Sequence, residues 1–337
     1  MMQKSGRPAM YYGYDAGGKI HLSRCGEALT DAVEEILPIP PGYWEKNGEF
    51  VCYCDIAKDE AVCYDNLDFT ALQAMEREED RVNALYASGR EAGRLTWGPS
   101  AWVEYLTTMR VLGDYLRPGM KILDLGAGNG AYTLPLADMG FPVDAVELAQ
   151  RNAELLRRAV HPGQQIQVFC QSAADLSVFP DGAYDVVLLF GPLYHIADPA
   201  ERRQCIREAL RVCKPEGVLL AAYISNDAVP LTECLYRDFF RPGEPGSYDH
   251  STFRVEPVPF QFLTLEEMRR ELRDSGVHIL REVASDGVSE LLESTINAMG
   301  VESYQEYLNY HFYCCEKPEM LGRSNHLLFV GRASEIG

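Results

Sequence analysis

The segment ILDLGAGNGAY, residues 122–132, is where the chain first shows chemistry. Gly126, Gly128 and Gly130 stand between an apolar run and a helix-like one. Glycines at such a junction permit a tight turn and let a ligand approach the backbone. Read alone, Gly126-x-Gly128-x-x-Ala131 also fits the dinucleotide fingerprint, which tolerates Ala at its last position. Asp124 weighs against that. A dinucleotide places a pyrophosphate at the helix N-terminus, and a carboxylate two residues before the first glycine opposes it. A ligand carrying an amino group and a sulfonium welcomes the carboxylate, and S-adenosylmethionine is such a ligand.

Further polar residues follow at the ends of apolar runs. Glu147 ends the second run, 21 residues after Gly126, where an acid accepts hydrogen bonds from ribose hydroxyls. Asp175, in QSAADLSVF, follows the third run and is placed to accept from an adenine amine. The fourth run, YDVVLLFG, leads into PLYHI. Tyr194 and His195 therefore fall where an open α/β sheet exposes its crevice. Either can orient a substrate, and His195 is the best local candidate for a base because imidazole titrates near neutral pH. A packing Tyr and a structural His are the plainer alternative. Asp198-Pro199-Ala200-Glu201 reads as a helix start and needs no catalytic role. KPEGVLL reads as a Lys-Pro-x-Gly turn feeding the fifth strand.

The elements that must position these residues alternate. KILDLG, VDAVEL, QIQVFC, YDVVLLFG and GVLLAAYIS read as strands separated by helical runs. Such alternation implies βαβ units and a doubly wound parallel sheet. Ahead of them, residues 67–117 read as helix, punctuated by Gly98-Pro99-Ser100, with Leu72, Met75, Val82 and Leu85 near one face. After residue 225 the rhythm changes. Residues 226–262 are rich in Pro, Gly and aromatics. TLEEMRRELRDSG opens on a Thr264-x-x-Glu267 capping box, HILREVA reads as a strand, and residues 287–321 hold two helix-like runs before the last strand, NHLLFVGR. The aromatic stretches LYRDFF and YLNYHFY, and Arg94, Trp97 and Tyr105 before the core, are candidates to line or close a pocket.

The ordered set DLGAGNG, AVEL, SAADL, DVVLLFGPLYHI and KPEGVLL resembles the class I S-adenosylmethionine-dependent methyltransferases. The resemblance covers roughly residues 90–332 and is strongest over 119–225. It is closest to a bacterial subgroup with GPLYH after strand four and a final strand of the SNHLL type. It implies a seven-stranded Rossmann-like sheet with an antiparallel last strand, and helical cap insertions at about 226–262 and 287–321. It implies S-adenosylmethionine as cofactor, with Gly126, Ala127 and Gly128 at its methionine part, Glu147 at the ribose, and Ala174 and Asp175 at the adenine; Asp124, Leu148 and Phe190 are further cofactor-binding candidates. GPLYH is not the Asn/Asp-Pro-Pro-Tyr pattern of base and glutamine methylation. A nicotinamide oxidoreductase and a non-catalytic cofactor-binding protein stay as alternatives.

Residues 1–66 match no family, and KIHL, EFVCYCDI and AVCYD read there as a β-rich appendage to a methyltransferase domain over 67–337. Cys25, Cys52, Cys54 and Cys63 lack the paired knuckles of structural zinc, so no metal is expected. Cys314-Cys315 lies in a helical run, where adjacent side chains diverge, and reads as core packing. The chain has 31 Lys+Arg against 50 Asp+Glu, a formal charge of −19, which argues against duplex nucleic acid as partner. No apolar run reaches the roughly 18 residues of a membrane span. The expected setting is cytoplasmic, with reduced thiols and a small-molecule acceptor, a peptide or protein acceptor being the second choice.

Overall fold

The computed structural model describes residues 10–15, 20–24, 33–38, 43–46 and 49–52 as backbone strands, and then 75, 77–87, 94–96, 98–236, 240, 248–257 and 260–334. The first five strands are β1 (Met10–Asp15), β2 (Ile20–Arg24), β3 (Val33–Pro38), β4 (Tyr43–Lys46) and β5 (Glu49–Cys52). β2-β1-β3 form an antiparallel sheet, and β4 pairs with β5. AVCYD, Cys25, Cys54, Cys63, Leu72 and Trp97 lie outside the described residues.

Two helices precede the main sheet, α1 (Glu78–Ala87) and α2 (Pro99–Gly113), the second with Pro99 at its first turn. The sheet strands are β6 (Ile122–Leu125), β7 (Val143–Glu147), β8 (Ile166–Cys170), β9 (Tyr184–Leu189), β10 (Cys213–Ser225), β12 (Val277–Ala284) and β13 (His326–Ala333). Their order is β12-β13-β10-β9-β6-β7-β8. β6 to β10 run parallel, and β13 is antiparallel to both β10 and β12. This is the expected seven-stranded sheet with its reversed last strand. A two-residue strand, β11 (Phe262–Leu263), adds parallel to the end of β10. One local expectation fails. The Lys-Pro-x-Gly stretch is not a turn before β10 but its first residues, with the register against β9 shifting between Cys213 and Val218.

The period of two along each strand builds two cores. Ile122, Val186, Leu188, Leu220, Leu328 and Val330 pack with α2 residues such as Trp102, Leu106 and Met109. Their neighbours Leu123, Val187, Leu189, Leu219, Leu327 and Phe329 pack on the opposite face. There they meet α6 (Pro199–Val212) and α8 (Leu265–Asp274) through Cys205, Ile206, Met268 and Leu272. Both faces are covered, which is why β9 could be almost wholly apolar. α3 (Thr133–Asp138) and α4 (Gln150–Ala159) complete the crossovers around β7, and α7 (Val229–Tyr236) follows β10.

Two helix starts follow their sequence signals. The Asp198 carboxylate accepts from the Ala200 backbone N–H, with Pro199 next to it. Thr264 and Glu267 close a reciprocal capping box at α8. Between β12 and β13 lie α9 (Glu293–Asn297), α10 (Val301–Cys314) and α11 (Pro318–Leu321). Cys314 and Cys315 are buried free thiols, as expected of core packing. Among the described residues no helix is long and apolar enough to cross a membrane.

Candidate functional site

The parallel strands end together, and the glycine loop crosses that edge. Gly126, Gly128 and Gly130 all have positive φ, at 82°, 57° and 99°. The three glycines serve different needs. A Cβ on Gly126 would lie 2.3 Å from the Phe190 carbonyl oxygen, and one on Gly130 would lie 2.5 Å from Leu156 Cδ1. A Cβ on Gly128 would meet nothing within 4 Å. The first and third glycines let elements pack, and the middle one leaves open space over the loop.

Asp124 lies beneath that loop, 1% exposed. Its Oδ2 accepts the Thr133 hydroxyl at 2.6 Å, while Oδ1 is buried with no partner. Burial pushes its pKa up to about 7, with the Glu147 charge adding to the rise and the Thr133 bond opposing it. A buried, half-satisfied carboxylate costs stability unless something cationic arrives. The ammonium or sulfonium of S-adenosylmethionine fits that vacancy, and a pyrophosphate does not.

Glu147 ends β7 and ties the loop to the next helix. Its Oε2 accepts the Gly128 N–H and its Oε1 the Ala149 N–H, each at 2.7 Å. Burial raises its pKa, and these backbone donors hold the rise in check. The Asn152 side chain and the Leu148 N–H also donate to this carboxylate, which is thereby fixed at the end of β7. Leu148 is half-buried beside it, and Ala127 is buried in the loop.

The remaining candidates spread along the same edge. Asp175 is exposed and accepts the Ser177 N–H at 3.1 Å, a short turn that lowers its pKa. Ala174 is half-buried, its N–H donating to Ser172. Phe190 is buried and meets Tyr132 edge to face at 5.0 Å. Tyr194 and His195 sit on the single turn α5 (Pro192–His195). His195 Nε2 lies 2.9 Å from the Tyr86 hydroxyl of α1. Burial brings the imidazole pKa down to about 4, so it is neutral at physiological pH and a weak base. Phe260 closes on both Tyr194 and His195.

α1, within the helical stretch ahead of the sheet, contacts both sides of the crevice. Asn83 Oδ1 accepts the Gln150 N–H at 3.2 Å on one wall, and Tyr86 reaches His195 on the other. Of the aromatic candidates, Tyr105 is buried and stacks on Tyr132 at 5.4 Å. Phe312 is buried under the Arg110 guanidinium, whereas Phe240, Tyr310 and Tyr313 are exposed.

Sequence reasoning named Arg94 but missed the polar group that forms around it on this edge. Arg94 donates to both carboxylate oxygens of Glu104, at 2.6 and 3.0 Å. Glu104 Oε2 lies 3.5 Å from Nδ1 of His326, the first residue of β13. The signals were Arg94 and the SNHLL segment, while Asp286 and Glu104 join them from distant parts of the chain.

Comparison with known proteins gives a consistent pattern. Residues 123–221 match the family model described as a methyltransferase domain. The chain is 29% identical over 162 residues to a ubiquinone biosynthesis O-methyltransferase of Caulobacter vibrioides, covering 47% of this chain and 60% of that protein. It is 31% identical to a demethylmenaquinone methyltransferase of Paenarthrobacter aurescens, over 52% of this chain and 65% of that protein. The match thus spans about three fifths of these relatives. Among solved structures, the CcbJ methyltransferase of Streptomyces caelestis is similar with a TM-score of 0.47 at 18% identity, over 72% of this chain and 95% of that one.

Proposed function

We propose, from a chain whose residues 123–221 match a methyltransferase-domain model, that the protein is a class I methyltransferase that transfers a methyl group from S-adenosylmethionine to a small-molecule acceptor. The observation that carries the reading is the Asp124 carboxylate, buried in the glycine loop with Oδ1 unpartnered. When bound, S-adenosylmethionine supplies an electrophilic methyl on a positive sulfur.

The chain's own residues bind, orient and exclude water. Asp124 holds the cationic end, Glu147 and Leu148 hold the ribose, and Ala174 and Asp175 border the adenine. Gly126, Ala127 and Gly128 shape the loop, and Phe190 forms the floor towards the acceptor. Tyr194, His195, Tyr86 and Phe260 form an aromatic wall. With α1 across the top, the wall keeps water from the displacement and aligns the acceptor with the methyl carbon. Tyr194 and His195 remain candidates for acceptor contact, with His195 as an orienting group given its low pKa.

Both relatives above are named for steps on ubiquinone or demethylmenaquinone, so a hydroxylated ring is the first acceptor to test. A cytoplasmic setting without a nucleic-acid or membrane partner is part of the proposal. The net charge of −19 and the free thiols support it. We also propose residues 1–66 as a β-rich appendage separate from the 67–337 domain. No metal is assigned.

The test is calorimetric titration with S-adenosylmethionine, S-adenosylhomocysteine and NADH, followed by transfer of a labelled methyl to phenols, quinols and amines. Micromolar binding of the two adenosyl ligands and turnover of one acceptor class are expected. Binding of NADH alone would overturn the reading. Adenosyl-ligand binding with no turnover across the panel would favour a non-catalytic role.

A further inference from the structure

His326 begins β13 and pairs with Ile224 near the end of β10, so it stands on the same sheet edge as the glycine loop. Its surroundings come from four separate stretches. Asp286, just after β12, receives the His326 backbone N–H at 3.1 Å and lies 2.7 Å from the ring Nδ1. The same carboxylate accepts the Ser324 hydroxyl at 2.5 Å, and the Gly287 N–H donates to Ser324 Oγ. Glu104 of α2 approaches Nδ1 at 3.5 Å and is itself gripped by Arg94. Glu290 accepts from Asn325 Nδ2 at 2.7 Å. His311 and Tyr307 of α10 lie within reach of the Asp286 charge.

This arrangement decides the tautomer. An ionised carboxylate only accepts, so Nδ1 must carry the proton, and neutral His326 presents Nε2 as an acceptor. Among the described residues no group bonds Nε2, and the side chain is 14% exposed. The same logic holds the imidazole in base-catalysed nucleophilic sites. Burial alone would lower the imidazole pKa, but the charges of Glu104 and Asp286 outweigh it, with Arg94 opposing, and the net direction is upward. Burial would likewise raise Glu104, but Arg94 and His326 bring it down to about 2.

The group is connected to the cofactor loop. The Glu104 and Arg94 charges reach the Tyr132 hydroxyl. Tyr132 stacks on Tyr105, whose buried hydroxyl has no partner, and meets Phe190 over Gly126. Acid oxygens and a ring nitrogen of Glu104, Asp286 and His326 lie within 4.8 Å of one another, a spacing a cation could use. The bidentate Arg94 on Glu104 already supplies the positive charge there, and argues for proton chemistry instead.

We infer that His326, oriented by Asp286, is the general base that removes the proton from a hydroxyl acceptor. This deepens the methyl-transfer reading and rests on it. The acceptor oxygen bonds to the methyl carbon as the carbon–sulfur bond breaks. The bonding pair neutralises the sulfonium, and the hydroxyl proton passes to Nε2. The substrate class is a phenol or enol, whose proton must leave for the oxygen to attack. His326 touches the substrate, while Asp286 and Glu104 are positioning residues.

The test labels the full-length protein with diethyl pyrocarbonate and maps the modified sites among its seven histidines by mass spectrometry. His326 is expected to react at Nε2, with a pH midpoint that moves lower in Asp286→Asn. Modification should abolish transfer to a phenol while S-adenosylhomocysteine still binds. His326→Gln should lower kcat about 100-fold or more with unchanged S-adenosylhomocysteine affinity. An unreactive His326, or a His326→Gln protein with unchanged turnover and pH profile, would overturn the assignment. Loss of adenosyl-ligand binding by the unmodified wild type would instead sink the methyltransferase reading, so the two failures are distinguishable.

Discussion

The Tyr86 hydroxyl and His195 Nε2 meet at 2.9 Å across the mouth of the crevice, joining α1 to the turn after β9. The most conspicuous histidine by sequence position is thus engaged by a helix outside the sheet. Its role follows from that contact and from its burial.

Removing the contact tests α1 as a clamp. Tyr86→Phe deletes one hydrogen bond, worth about 1 kcal/mol. It should weaken S-adenosylhomocysteine binding roughly fivefold, read by calorimetry. His195→Gln should leave the pH dependence of turnover unchanged, because a base with a pKa of about 4 is already neutral in the working range. A new acidic limb in that variant would return His195 to the proton chemistry.

Cofactor affinity should depend on pH through Asp124. Its pKa of about 7 in the free protein means that a cationic ligand binds best once the carboxylate ionises. The S-adenosylmethionine Kd should fall as pH rises towards 7 and then level off. Calorimetry at pH 6 in buffers of different ionisation enthalpy should show proton release. In the free protein the sign is opposite. A raised carboxyl pKa means that stability is lost as pH rises from 3.8 through 7. Asp124→Asn should therefore raise Tm at pH 8 while weakening S-adenosylmethionine binding. A Tm unchanged or lowered at that pH would contradict the burial argument.

The glycines of the loop should separate folding from binding. Gly126→Ala forces a Cβ to 2.3 Å from a backbone oxygen and should cost several kcal/mol. Gly128→Ala meets open space and costs only about 1 kcal/mol for its left-handed backbone. It should melt near the wild type yet lose cofactor affinity, because its methyl occupies the ligand's side of the loop. Thermal melts and calorimetry on both variants check this. Equal losses of Tm would refute the division of labour.

His311 supplies a stability switch. Burial lowers its pKa to about 4 from 6.5, with the Asp286 charge only partly opposing. A histidine kept neutral in the fold binds fewer protons than in the unfolded chain. Stability therefore falls as pH drops from 6.5 towards 4, by about 3 kcal/mol. The Asp124 effect runs the other way over part of this window, so the difference between wild type and His311→Gln is the useful curve. It should shrink steadily on acidification. A constant offset in chemical denaturation across that range would exclude the linkage.

How much of this was legible beforehand depends on range along the chain. The alternation of strands and helices and the parallel sheet were readable, because apolar runs, turn glycines and caps such as Thr264–Glu267 and Asp198 act within a few residues, whereas the reversed last strand was implied by the family resemblance alone. The glycine loop and its flanking carboxylates were readable for the same reason. Asp124, Gly126, Gly128 and Glu147 lie on one strand–loop–helix–strand unit whose geometry is local. Lys-Pro-x-Gly misled because a register shift within β10 depends on its partner β9, which local turn chemistry does not report.

The group around His326 needed the tertiary structure. Glu104, Asp286 and His326 are separated by 182 and 40 residues, yet the two carboxylates meet at one ring nitrogen, at 3.5 and 2.7 Å. Nothing in their spacing marks them, because the antiparallel return of β13 carries His326 back to the edge where β10 and β12 end. By itself the chain determined the fold and the cofactor loop, whose interactions are short-range. Only the packed molecule decided which histidine is bound to Tyr86 and which is aligned by a carboxylate. Desolvation and charge at a buried group depend on what lies beside it in space, not on what precedes it in sequence.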